Sequence, residues 1–308
     1  MEIWSIVLTV LGLSLFEIVS SIDNAVINAE VLGTMSKWAR KWFLLWGLLF
    51  AVFVVRGVLP LLIVWFTNPS LGLVGAFTAT FSSDPAVAHA MEASAPLLLI
   101  GGGVFLVFLF FHWLFLEPKN YGLHAERFFH EQGVWFYAIV SMLLAFIVWY
   151  CLKINPLMAF GAVVGSTAFF ITHGFKQNAE KAEENMIKKK ARLTDWSKIL
   201  YLEVIDATFS IDGVLGAFAF TLAIPLILLG NGLGALVVRQ VTIGNIERVK
   251  RYKYLKNGAM YSVFALGAIM ITDSFGVHIP SWVSPLATFL ILGYFFYRSH
   301  AELDEKKR

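Results

Sequence analysis

The chain has 308 residues, of which 58% are hydrophobic and 15% charged, with a formal net charge of +3 and a mean hydropathy of +0.72. It is too apolar for a soluble domain of this length and too weakly charged for a nucleic-acid binder, which leaves a polytopic membrane protein. Its single cysteine, Cys151, excludes an internal disulfide or a cysteine-rich metal site.

Apolar runs of bilayer length predict an all-α bundle of nine transmembrane helices, at 4–33, 43–66, 96–116, 134–152, 156–173, 199–221, 224–245, 258–275 and 280–298. Met1-Glu2-Ile3-Trp4 lacks a basic leader and a cleavage site, so the first span is expected to stay in the mature protein. The stretch 68–95, broken by Gly, Ser and Pro85, reads as a long loop or a re-entrant piece. Lys and Arg gather in alternate connections, with 21 of the 24 on one side of this topology. The positive-inside rule then sets the N-terminus outside and the C-terminus in the cytoplasm. The chain divides into a first half at 1–173, a basic cytoplasmic loop at 174–198 and a second half at 199–308. Trp residues near the expected span ends agree with an interfacial belt. Gly161-xxx-Gly165 and Gly230-xxx-Gly234 permit close helix contact, and Gly101-Gly102-Gly103 either breaks or tightly packs the third span.

Two of these runs carry an expensive feature. Glu17, Ser21, Ile22, Asp23 and Asn24 in the first span are echoed by Asp206, Ser210, Ile211 and Asp212 in the sixth, each acid 189 positions downstream of its partner. One Asp at the centre of a membrane helix costs roughly 2.5–3.5 kcal/mol. Four unpaired acids would cost about 10–14 kcal/mol, so they need a partner, a bound cation or a proton. The two copies run in opposite directions across the membrane, the pattern of an inverted-topology repeat with a site near the midplane. Arg56, one span after the first motif, corresponds to Arg239, one span after the second, and either could serve as a counter-charge or take part in function.

Six residues apart on one helix, Glu17 and Asp23 point about 120° from each other. Either the helix unwinds around Ser20 to Asn24, or acids from the two copies converge across the pseudo-twofold axis. Four acids against two arginines leave two negative charges, enough for one divalent ion. Carboxylates, the Asn24 amide and the Ser21 and Ser210 hydroxyls are hard oxygen donors that suit magnesium, calcium or manganese. Glu203, three residues before Asp206, is a vestibule ligand or an interfacial residue.

The acid-xxx-Ser-Ile-Asp-Asn motif with its later acid-xxx-Ser-Ile-Asp copy resembles the TerC family of integral membrane proteins, within a LysE-like superfamily. The resemblance implies a metal exporter of the cytoplasmic membrane, with manganese or calcium as cargo and Glu17, Asp23, Asn24, Asp206 and Asp212 as its site. The chain departs from that pattern with Asp206 where Glu is expected and Gly213 where Ser is expected. The expectation is therefore a secondary transporter, not an enzyme, exporting a divalent cation with protons as coupling ions and no organic cofactor. The alternatives are a proton or monovalent-cation carrier, a metal-dependent membrane hydrolase, and a scaffold that recruits stress proteins.

Overall fold

A computed structural model describes residues 3–47, 49–50, 54, 56–67, 69, 72, 74–75, 85–188, 194–244, 249 and 251–305. Apart from one π-helical turn and one 3₁₀ turn, its regular elements are α-helices: α1 (Ile3–Ser20), α2 (Ile22–Gly33), α3 (Lys37–Trp42), α4 (Arg56–Thr67), α5 (Pro85–Leu116), α6 (His124–Glu131), α7 (Phe136–Leu152), α8 (Pro156–Lys188), α9 (Asp195–Ala217), α10 (Ile224–Gly244), α11 (Leu255–Ser274) and α12 (Val283–Glu305). No strand occurs among the described residues.

Among the described residues, six helical stretches are long and apolar enough to cross a membrane: Ile3–Ser20, Ser94–Leu116, Gly133–Leu152, Pro156–Asn178, Ile224–Thr242 and Leu255–Ser274. The chain is thus a multi-pass, all-helical membrane protein, and among the described residues length and apolarity mark six of the nine expected spans. The expected span at 199–221 lies in α9, where Glu203, Asp206 and Asp212 interrupt the apolar run. That at 280–298 lies in α12, which carries Arg298, Glu302 and Asp304 in its last turns. Of that at 43–66, the described residues include a π-helical turn, Phe43–Gly47, and α4, and several of the residues between them lie outside the described ones.

Three further expectations change. The first span is two helices, because Ser21 adopts φ −90° and ψ 3° between α1 and α2. The break is a bend and not an unwinding: Ser21 N still donates to Glu17 O at 3.1 Å, and Ala25 N to Ser21 O at 2.9 Å. Ser20 Oγ also donates to Glu17 O, at 3.3 Å, sharing that carbonyl with the backbone ladder. The loop expected at 68–95 gives way at Pro85, where α5 begins. Proline suits a helix's first turn, where no intrahelical N–H bond is lost. The loop expected at 174–198 is helical as far as Lys188, since α8 continues well past its apolar part.

Helix α5 is the hub. Its membrane-length window is 72% buried, against 22% for Gly133–Leu152 at the periphery, and it packs between α8 and α11. Phe105, Phe108, Trp113 and Phe169 fill this centre. Glycines set the distances. A Cβ on Gly165 would stand 2.0 Å from Gly101 O, and Gly103 and Gly267 abut each other's carbonyls at 2.9 and 3.1 Å. The glycine triplet is therefore a packing surface, and α5 continues unbroken through it. Small residues let helix backbones approach where lipid offers no hydrophobic drive for association. At one end Lys119 donates to Trp113 O and to Leu114 O at 2.6 Å, satisfying carbonyls that a helix terminus leaves open.

Gly165→Ala must separate α5 from α8 and is expected to lose about 1–3 kcal/mol, the usual cost of overpacking. Gly174→Ala, on the same helix but with nothing within 4 Å of its added methyl, should lose nothing measurable. Thermal unfolding of the two variants in detergent compares them directly, and equal stability would contradict the crossing described.

Candidate functional site

Helices α1 and α2 lie alongside α9 in the opposite direction. A Cβ on Gly216 would stand 2.5 Å from the Phe16 ring, one on Gly213 would stand 3.0 Å from Glu17 Oε2, and Asn28 Nδ2 donates to Asp206 Oδ1 at 2.9 Å. As the numbering rises along one partner it falls along the other. The two motif copies therefore pack antiparallel, and the lack of a side chain at Gly213 is what admits the Glu17 carboxylate. From the other flank α10 presses on the same residue, since a Cβ on Gly234 would meet Glu17 Cβ at 2.6 Å.

Glu17 is 1% exposed and pairs with the guanidinium of Arg56, itself 6% exposed. Ser21 Oγ donates to the same carboxylate oxygen at 2.7 Å. The bend at Ser21 thus serves the acid, turning a hydroxyl one helical turn onward back toward it. A small cleft of about 60 Å³ opens here, lined among others by Glu17, Ser21, Asn28, Arg56, Asp206 and Arg239. Four polar atoms around it lack a hydrogen-bond partner among the described residues: Glu17 Oε2, Asn28 Oδ1, Arg56 Nε and Arg239 Nε. Buried polar atoms are rarely left so, and orphans converging on one cleft mark a place for water or a solute.

Five residues singled out from sequence thus meet: Glu17, Ser21, Asp206, Arg56 and Arg239. Others do not. Asp212 is engaged by Lys176 of α8 at 2.5 Å, and Ser210 Oγ turns back to Asp206 O at 2.5 Å instead of facing a ligand. Glu203 lies outside the cleft lining, where a Cβ on Gly47 would stand 2.4 Å from its Oε1, and neither of its oxygens has a hydrogen-bond partner among the described residues. The side chains of Asp23 and Asn24, on the first turn of α2, lie outside the described residues.

Two contributors escaped the sequence. Asn28 is a polar residue one turn beyond Asn24 in an apolar run, a spacing that could have flagged it. Lys176 falls in the stretch expected as a loop, because the hydropathy of its helix fades there; its place three residues after His173 on a continuing helix is the available signal.

Among the described residues no three His, Cys, Asp or Glu side chains gather as a metal-binding group. The donors that do meet, two carboxylates, a hydroxyl and an amide oxygen, are all oxygen, the class that hard cations accept.

Removing Arg56 would strand Glu17 as a buried uncompensated charge, a change that typically costs about 3–5 kcal/mol. Arg56→Ala is expected to destabilise the detergent-solubilised protein by that amount in thermal unfolding. Adding Glu17→Gln should recover much of the loss, and a double variant no more stable than Arg56→Ala alone would contradict the pairing.

Known proteins bear on this arrangement only broadly. A family described as a protein of unknown function (DUF475) matches residues 22–305, which include Asp23, Arg56, Lys176, Asp206, Asp212 and Arg239 but not Glu17 or Ser21. The uncharacterized membrane protein YceF of Bacillus subtilis (strain 168) is 27% identical over 85 residues, 28% of this chain and about a third (33%) of that protein. No solved structure matches. Since the family match takes in nearly the whole length, the chain belongs to the DUF475 family, as a multi-pass helical membrane protein.

Proposed function

We propose that this protein is a secondary transporter that carries a small inorganic cation across the membrane through the cleft between α1, α2, α9 and α10. The observation that carries this reading is that one acid from each motif copy, Glu17 and Asp206, borders the same cleft, each at a different point of an antiparallel crossing. Ionisable groups within membrane helices mark ion pathways far more often than packing, because packing alone does not repay their desolvation. Sites of this kind form between inverted halves, where alternating access needs only one half to rock against the other. The nine-span topology, the cytoplasmic-membrane location and the resemblance to the TerC family belong to the same proposal, as does export of manganese or calcium.

Charge distinguishes the cargo classes. The two motifs supply four acids in sequence, Glu17, Asp23, Asp206 and Asp212, against the basic groups Arg56, Arg239 and Lys176, of which Arg56 pairs with Glu17 and Lys176 with Asp212. Lys176 cuts the surplus from two negative charges to one, which favours a monovalent cation or a proton as the second reading. Glu203, if ionised, restores the surplus to two and with it a divalent cargo. In this scheme Glu203 is the proton carrier: it takes up a proton when a divalent ion leaves and releases one when the next arrives.

Transport is tested in liposomes loaded with manganese or calcium and a fluorescent reporter. Wild-type protein is expected to release the ion faster than protein-free vesicles, and Glu17→Gln and Asp206→Asn to fall to the protein-free rate. Release unaffected by either substitution, or absent for manganese, calcium, sodium and protons alike, would contradict a carrier built on this cleft.

A further inference from the structure

The second motif has its own resident charge. Lys176 Nζ lies 2.5 Å from Asp212 Oδ2, with side-chain exposures of 16% and 14%. Asp212 Oδ1, on the far side of the carboxylate, is buried without a hydrogen-bond partner among the described residues. The pair joins α8 to α9, so it bridges from the helix that packs on the hub to the helix that carries the motif.

It differs in kind from the pair in the first motif. Glu17 is held by a guanidinium and a hydroxyl in near-complete burial. An arginine charge is permanent, delocalised and held by a rigid fork, whereas a lysine ammonium is a compact point charge on a flexible four-carbon stem. Swinging that stem aside moves no helix, and the bare Asp212 Oδ1 offers a first foothold before the ammonium has left. While the ammonium stays, the carboxylate never faces the apolar interior uncompensated, which avoids the cost of an unpaired buried acid.

We propose that Lys176 is a tethered cation at a second station on the path, occupying Asp212, six residues along α9 from the cleft acid Asp206, when cargo is absent and being displaced when cargo arrives. The proposal rests on the cation-carrier reading above. It makes Lys176 a specificity-determining residue: an incoming ion must outcompete an ammonium at one carboxylate, which favours inorganic cations of higher charge density. The acid bound by Lys176 is a binding-incompetent state, and the apparent affinity for cargo is reduced by the fraction of time the pair is open.

The test is isothermal titration of the purified full-length chain in detergent with manganese, calcium and sodium, each separately. With the pair open about a tenth of the time, Lys176→Gln should bind whichever ion the wild type binds about tenfold more tightly. Lys176→Arg, which keeps the charge and strengthens the grip on Asp212, should bind it more weakly. Lys176→Gln with Asp212→Asn should melt near the wild-type temperature yet lose the tightening. A wild type that binds while Lys176→Gln binds equally or less well overturns the tethered-cation role and leaves the carrier reading standing. Should Lys176→Gln fail to fold, Lys176→Arg decides, and unchanged or tighter binding there overturns the role. No binding by any of these proteins to any of the three ions overturns this role and the metal-cation form of the carrier reading, leaving only its proton form.

Discussion

A buried carboxylate inside an apolar bundle dictates much of what surrounds it. Glu17 is almost wholly buried, so it requires a permanent positive partner, and Arg56 supplies one. It also requires room, and two glycines from different helices supply that: Gly213 on the antiparallel motif helix and Gly234 on α10. The bend at Ser21 brings a hydroxyl to the same acid. Helix pairing, glycine placement and the break between α1 and α2 thus answer one electrostatic demand, because leaving a buried charge unpaired costs more than most single defects in a fold.

The same demand is met differently at each acid, which gives the site its asymmetry. Glu17 has an arginine, Asp212 a lysine, and Asp206 accepts from a neutral amide of Asn28. Glu203 accepts from no described donor. These environments hold four carboxylates of one region at graded degrees of compensation. Groups held at different compensation exchange protons and cations at different points of a cycle, which is the property a coupled carrier needs.

The sequence made the costs visible and left many of the partners hidden. The repeated Ser-Ile-Asp pattern announced that two helices would share a feature, and the antiparallel crossing of α1 and α2 with α9 agrees with it. The glycines at 161 and 165 were legible as a contact surface, though only geometry could choose packing over breakage for the triplet at 101–103. Hydropathy misled in two ways. It ran α1 and α2 together, since one serine's backbone angles leave no trace in apolarity, and it ended α8 too early, since helix propensity outlasts hydrophobicity in a charged extension. The second error concealed Lys176 and with it the charge balance. Gly213 read as a lost hydroxyl, whereas in three dimensions it is the gap that Glu17 occupies.

On the proposed function, the crossing of the two motifs cradles a cation beside Glu17 and Asp206. Crystals of the protein soaked in manganese, with anomalous difference density measured at the metal's absorption edge, test it most directly. A cradle of this kind requires a peak within the cleft bordered by these two carboxylates and Asn28. Manganese found only at surface acids, in crystals of protein that binds the ion in solution, would contradict it.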